Sequence, residues 1–275
     1  MCEAHLADVR AHGFEAVELF AVRGHFNYQD AAAAEALATW LRSTGVRLHS
    51  VHCPIVESLV GGRWGAAYNN ATTDGAARDA AVREAIAAIE LAAVLPYDYL
   101  VVHLGLPSSQ RPGPGDNDRE QAKRSVEQIH AVAERRGVRL ALEVIPNTLS
   151  TPESLVTMIE EELELPHVGI CLDFGHAFLM GDLVDALETV AGHMITTHVH
   201  DNRGKTDDHL VPFEGRIDWP SALMAVQKIG YDGTLLLELQ STEPAGHALQ
   251  KTVEMRRRFE EAMCGEWGQM IADQQ

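Results

Sequence analysis

The sequence predicts a parallel (β/α) barrel that occupies the whole chain. Short, nearly all-apolar runs alternate with longer helical stretches from end to end, the pattern of parallel strands covered on both faces. Glycine stands between helix and strand in "HGFEAVELF", "TGVRLHSVH", "RGVRLALEV" and "IGYDGTLLLEL", where a left-handed helix cap requires it. No glycine-rich dinucleotide turn follows an early strand, which favours a barrel over an open doubly wound sheet and argues against a nucleotide cofactor. The 275 residues suit one such barrel, for which about 250 is typical. Residues 1–275 are therefore read as a single domain, with 265–275 as a C-terminal tail.

The strands are expected at Ala16–Phe20, Arg47–Val51, Tyr99–His103, Arg139–Val144, Val168–Leu172, Ile195–His200 and Thr234–Leu239. Helical patterns cover Asp30–Ser43, Asp74–Val94, Asp116–Arg136 and Pro152–Leu163, with caps at Asp74, Asp116 and Thr151, the last followed by Pro152 at the first helical position. Seven strands result, not eight. The chain opens on a helix, Ala4–His12, where a barrel opens on a strand, so the first strand is missing from this reading. The stretch "SSQRPGPGD" at Ser108–Asp116 reads as a flexible loop after a strand end, where active-site loops belong.

Composition narrows the function. No apolar run approaches the roughly 20 residues of a membrane span, and the polar start "MCEAHLADVR" has no secretory pattern, so a cytoplasmic protein is expected. The net charge of −18 counts against nucleic acid as a partner. Cys2, Cys53, Cys171 and Cys264 are scattered, without a C-x-x-C pair, and read as reduced, mostly buried thiols.

A titratable side chain closes each apolar run: Glu18, His52, His103, Glu143, Asp173, His198 with His200, and Glu238. Parallel strands of a barrel point one way, so these groups converge on one mouth. A single glutamate at a strand end is readily explained as solvated. Glu143 in "LALEVIPN" and Glu238 in "LLLELQ" lie inside apolar runs, where an unpartnered carboxylate would cost several kcal/mol. With Asp173 and His198 they make a mixed oxygen–nitrogen donor set suited to Zn, Mn, Co or Mg. His176, in D-F-G-H, and Asp207 with His209, in "KTDDHLVPFEGRIDW", have ordinary alternatives as a helix start and a polar loop. His5, His12, His25, His130, His167, His193 and His247 read as surface histidines.

Taken together, "VHCP", "VVHLG", "LEVIPN", "GICLDFGHAF", "THVHDN", "DDHLVPFEGRIDW" and "LLLEL" resemble the xylose isomerase-like TIM barrel superfamily of sugar isomerases, sugar epimerases and type IV apurinic endonucleases. The resemblance runs over essentially the whole chain and implies a (β/α)8 barrel. Its epimerase branch implies one divalent metal on Glu143, Asp173, His198 and Glu238, with the two glutamates also shuttling protons. It further implies substrate contacts from His176, His200 and Arg203. The endonuclease branch implies three zinc ions on those four ligands plus His52, His103, His176, Asp207 and His209. The expected activity is a metal-dependent isomerisation or epimerisation of a sugar or sugar phosphate through an enediolate. Three alternatives stay open: a multinuclear zinc phosphoesterase, a keto-sugar lyase or dehydratase, and a non-catalytic barrel subunit. The expected partner is a small carbohydrate, and the outer helices of such barrels suggest a homo-oligomer.

Overall fold

The computed structural model of the chain describes residues 2–240 and 245–263; Cys264 and the tail 265–275 lie outside them. Two compact units are present, Met1–Cys171 and Leu172–Gln275.

The first unit opens on helix α1 (Glu3–Ala11), followed by strand β1 (Ala16–Phe20), α2 (Ala31–Thr44) and β2 (Arg47–His52). A short antiparallel hairpin, β3 (Leu59–Val60) with β4 (Arg63–Trp64), precedes α3 (Gly75–Glu90) and β5 (Tyr99–Val102). Helix α4 (Arg119–Arg136), β6 (Arg139–Glu143), α5 (Pro152–Thr157) and β7 (Val168–Asp173) follow. β1 pairs in parallel with β2, β2 with β5, β5 with β6, and β6 with β7. The register sets Phe20 beside His52, and Glu143 beside Cys171. Leu100, Val101, Leu140, Ala141 and Leu142 have no exposed surface, which accounts for their uninterrupted apolar sequence.

The second unit holds the last residues of β7, then α6 (Phe174–Met180), α7 (Leu183–Val190), β8 (Met194–Val199), α8 (Trp219–Lys228), β9 (Leu235–Leu237) and α9 (Ala245–Met263). β8 and β9 are parallel, with His198 beside Leu236. Trp219 is buried among Phe174, Phe213 and Phe259, with ring centroids 6.1, 5.9 and 5.1 Å away.

Every expected strand is found within a residue or two, and among the described residues no strand precedes α1. Gly45 and Gly137 end α2 and α4 at φ of 69° and 70°, as the helix-to-strand joints require. Four readings need correction. The cap of α4 is Asp118, whose carboxylate accepts from the Gln121 amide, whereas Asp116 accepts from the Gly113 amide and closes the turn before it. The stretch 108–116 is not loose. Ser108 donates to the Pro146 carbonyl at 2.8 Å, and Gly115 accepts from the Thr73 amide at 2.8 Å. His130 is buried rather than at the surface, its Nε2 2.6 Å from the Pro166 carbonyl oxygen. The hairpin β3–β4 was not expected at all.

The long connection between β8 and α8 depends on one residue. Asp201, without exposed surface, accepts at 2.8–3.1 Å from the backbone amides of Asn202, Phe213, Gly215, Arg216 and Ile217 and from the Trp219 indole. Its backbone exchanges hydrogen bonds of 2.8 and 2.9 Å with Leu210. A Cβ on Gly215 would come within 2.2 Å of Asp201 Oδ1, so only glycine lets the loop close around the carboxylate. Bonds to a charged acceptor contribute about 1.5–3 kcal/mol each, and buried donors left behind cost more. Asp201→Ala should therefore lose at least about 3 kcal/mol in urea unfolding, with Asp201→Asn, which keeps one acceptor oxygen, losing less. Equal stability of Asp201→Ala and the parent protein would refute this role.

Candidate metal centre

In the first unit, three strand ends bring His52, His103 and Glu143 together, with donor atoms within 4.8 Å of one another. His52 Nε2 lies 3.2 Å and His103 Nε2 2.9 Å from Glu143 Oε2. The two rings meet edge to face at 4.9 Å. His52 and Glu143 are buried, and His103 is partly open. The His52 Nδ1–H donates to the Cys53 carbonyl at 3.0 Å. With Nδ1 committed to that carbonyl, Nε2 is the ring nitrogen that faces the carboxylate. An imidazole nitrogen and a carboxylate oxygen 3.2 Å apart can share positive charge, carried by a proton on the ring or by a metal ion between them.

Asparagines fix the neighbouring backbone. Asn70 Nδ2 donates to the His103 carbonyl at 2.6 Å and Asn70 Oδ1 accepts from the Gly105 amide. Asn147, from "VIPN", donates to the Leu104 carbonyl at 2.8 Å and accepts from the amides of Leu149 and Ser150. Glu18, the other strand-end carboxylate of this unit, accepts from Ser50 Oγ at 2.6 Å.

In the second unit, His176, His200, Asp207 and His209 also have donor atoms within 4.8 Å of one another. His176 Nε2 and His209 Nε2 each lie 3.1 Å from Asp207 Oδ2. The His209 Nδ1–H donates to the Glu238 carbonyl at 3.0 Å, so Nε2 is again the ring nitrogen that faces a carboxylate. Burial pushes the Asp207 carboxyl up, but the bonds from His176 and His209 outweigh it and hold it far below the usual carboxylate range. Burial pushes His209 down, and the Asp207 bond with the Glu238, Asp207 and Asp173 charges raises it to about 9. A proton therefore bridges the acceptors of the metal-free protein at neutral pH. The backbone at His209 is left-handed, φ 45°, and at Phe213 φ is 77°, strain the Asp201 clamp holds in place.

Asp173 caps α6, accepting from the His176 amide at 2.7 Å. It also meets His200 Nε2 at 3.0 Å, and His176 Nδ1 lies 3.3 Å from its Oδ2. His198 Nδ1 is 2.9 Å from Glu238 Oε2 and 4.0 Å from Asp173 Oδ2. His200 is fully buried, its ring stacked on His209 at 4.0 Å and lying directly over Gly175. Arg203 is exposed, with its guanidinium 3.8 Å from Asp208.

Sequence reading singled out every residue of these two groups, but it expected His200 as a substrate contact rather than as a member of a donor group. It missed Asp201, although "THVHDN" places it next to His200, and it missed the roles of Gly175 and Gly215. Asp201 could have been suspected as an acidic side chain between an apolar strand and a loop with few apolar residues. The glycines give no local signal, because what excludes a Cβ comes from elsewhere in the fold.

A family described as xylose isomerase-like TIM barrel matches residues 6–259. An uncharacterised protein of Methanocaldococcus jannaschii is 33% identical over 128 residues, 44% of this chain and 43% of that protein. An inosose isomerase of Bacillus velezensis is 24% identical over 166 residues, 54% of this chain and 58% of that protein. The chain thus spans about half the length of the curated relatives it matches. A D-tagatose 3-epimerase-like protein shares the fold with TM-score 0.77 and 24% identity, over 95% of this chain and 97% of that one. The IolI protein with a bound zinc atom shares it with TM-score 0.72 and 18% identity, over 96% and 93%.

Two outcomes are expected. A Cβ at Gly175 would meet His200 Cε1 at 2.0 Å, so Gly175→Ala should displace His200 from Asp173 and weaken metal binding by about 10–100-fold; unchanged affinity by metal competition would contradict this. Because His209 is raised to about 9, its proton stabilises the metal-free fold fully below its ordinary value of 6.5, and that contribution is lost as pH rises through about 9. Metal must displace that proton. Apparent metal affinity should rise by about tenfold per pH unit between 7 and 9, and a flat titration would exclude His209 as a ligand.

Proposed function

The chain belongs to the xylose isomerase-like TIM barrel family, and within it we propose a divalent-metal-dependent sugar or sugar-phosphate isomerase or epimerase, with Glu143, Asp173, His198 and Glu238 as metal ligands. The observation that carries this reading is the close facing of imidazoles and carboxylates at the strand ends, His198 Nδ1 2.9 Å from Glu238 Oε2 and His52 Nε2 3.2 Å from Glu143 Oε2, on a fold whose relatives are named as sugar isomerases and epimerases. Carboxylates with imidazoles favour Zn, Mn or Co over Mg, which prefers oxygen alone.

A divalent cation there supplies Lewis acidity, polarising a carbonyl and its neighbouring hydroxyl and so acidifying the intervening C–H. The remaining chemistry belongs to the chain. One of Glu143 and Glu238 removes the proton from carbon and the other returns it, the substrate passing through its enediolate. Glu143 is buried away from water, which keeps solvent from competing for the proton it would move. Arg203 and His176 bind substrate oxygens, and His200 holds Asp173 in orientation through its 3.0 Å contact.

The group formed by His176, His200, Asp207 and His209 favours a second reading, a multinuclear centre of the phosphoesterase kind. The charge of −18 opposes a DNA substrate.

Deuterium exchange at the reacting carbon of a ketose, with metal content measured on each sample, tests both. Glu143→Gln and Glu238→Gln, each retaining metal, should lose about 10²–10⁴ in exchange rate; unchanged exchange rules the proton shuttle out. One metal per chain excludes the multinuclear reading, whereas several, with cleavage of abasic-site DNA, would replace the isomerase.

A further inference from the structure

Trp64 is 56% exposed and Val60 67% exposed, whereas most other large apolar side chains among the described residues are covered. Both lie on the β3–β4 hairpin, which leaves the His52 end of β2 and therefore stands at the same end of the strands as His52 and Glu143. Its turn is Gly61–Gly62, at φ of 57° and 75°, the two left-handed positions of a tight hairpin that matches the strand twist.

The hairpin is firmly seated. The Leu59 amide donates to the Arg23 carbonyl at 3.0 Å, Glu57 to Ala66 at 2.9 Å, Gly65 to Ser58 at 2.8 Å and Tyr68 to Ile55 at 2.9 Å. The loop after β1 approaches so closely that a Cβ on Gly24 would come within 2.3 Å of the Leu59 carbonyl oxygen. Behind that loop, Glu84 accepts from Arg23, Tyr28 and Gln29, which fixes the loop in turn. An exposed indole on a rigid arm loses little conformational freedom when a ligand covers it.

The arm leads to the donor group through a continuous aromatic path. Trp64 meets Phe20 at 6.1 Å, Phe20 meets His52 edge-on at 5.2 Å, and His52 meets His103 at 4.9 Å. A sugar ring has one face of C–H groups that covers an indole well, and polar edges that stay in water or reach donors. The indole is two aromatic contacts out from His52, with the Phe20 ring between them, so a ligand ring that covers it lies outside the His52, His103 and Glu143 group.

We infer that Trp64, with Phe20 behind it, is a stacking subsite for a second, non-reacting ring, so that the substrate class is a glycosylated or otherwise two-ring carbohydrate. This rests on the carbohydrate reading above and adds the size of the substrate to it. Trp64 is a positioning residue: it holds the outer ring and takes no part in proton transfer.

The metal-loaded full-length protein is titrated with D-fructose and with lactulose, a ketose carrying a second pyranose ring, following tryptophan emission and heat. The same titrations are run on Trp64→Ala and Trp64→Phe, with metal content as the check that the His52, His103 and Glu143 group is intact. Lactulose should bind about tenfold more tightly than D-fructose and shift the indole emission. Trp64→Ala should remove that advantage and the shift while leaving D-fructose unchanged, and Trp64→Phe should restore most of the advantage. Equal binding of the two sugars to the parent protein overturns the subsite but leaves the carbohydrate reading standing. Binding of neither sugar overturns both. A dimer that Trp64→Ala dissociates assigns the exposed indole to a second copy of the chain and also overturns the proposal.

Discussion

The carboxylate of Asp201 is the constraint on which the second unit's chemistry rests. A long polar connection runs from β8 to α8, and it carries Asp207 and His209, both needed for the donor group. Such a segment has too few apolar side chains to fold by burial. It is organised instead from within, by one buried acid that gathers the amide N–H groups of Phe213, Gly215, Arg216 and Ile217 and the Trp219 indole. The same bonds compensate left-handed backbone at His209 and Phe213, each position costing of order 1–3 kcal/mol. Phe213 adds its share through Trp219 and Phe259 and the Arg258 guanidinium 3.5 Å above its ring. Strain at a functional loop is thus offset by a buried anchor that does not itself touch the chemistry.

The donor groups obey a second constraint, the direction of imidazole protons. In both units a histidine commits its Nδ1–H to a backbone carbonyl, His52 to Cys53 and His209 to Glu238. The opposite nitrogen, Nε2, is left facing a carboxylate. An imidazole nitrogen set against a carboxylate calls for positive charge, which a proton meets in one state and a metal could meet in another. His200 differs: it holds Asp173 while its ring lies against Gly175 and His209, so it orients a carboxylate and limits how that carboxylate can turn.

How much of this was legible follows from how far each signal travels along the chain. The seven strands and the glycine joints are local, set by apolar runs and by the φ that Gly45 and Gly137 adopt, and they were readable. So were Glu143 and Glu238, because a carboxylate inside an apolar run is anomalous within five residues. The cap of α4 was misplaced by two residues because Asp116 and Asp118 look alike in sequence; only the Gly113 turn tells them apart. His130 was assigned to the surface because its helix is polar, and what buries it is the Pro166 carbonyl, far along the chain. The hairpin at Leu59–Trp64 carried a readable signal, Gly-Gly between short apolar pairs, but strands of two residues fall below what periodicity detects.

That hairpin also shows why a family likeness stops short of a substrate. The donor residues sit at strand ends and in the loop that Asp201 anchors, positions that the fold itself dictates. The hairpin is an excursion, held by the Arg23 carbonyl and the close approach of Gly24, and nothing in the sheet requires it. Elements the fold does not need are free to answer to the ligand, and Trp64 keeps 56% of its surface in water although one side of it meets Phe20. On the proposed reading, chemistry and specificity are separable in this chain: the strand ends would set which bond is activated, and the arm bearing Trp64 would set how large a molecule is presented to them.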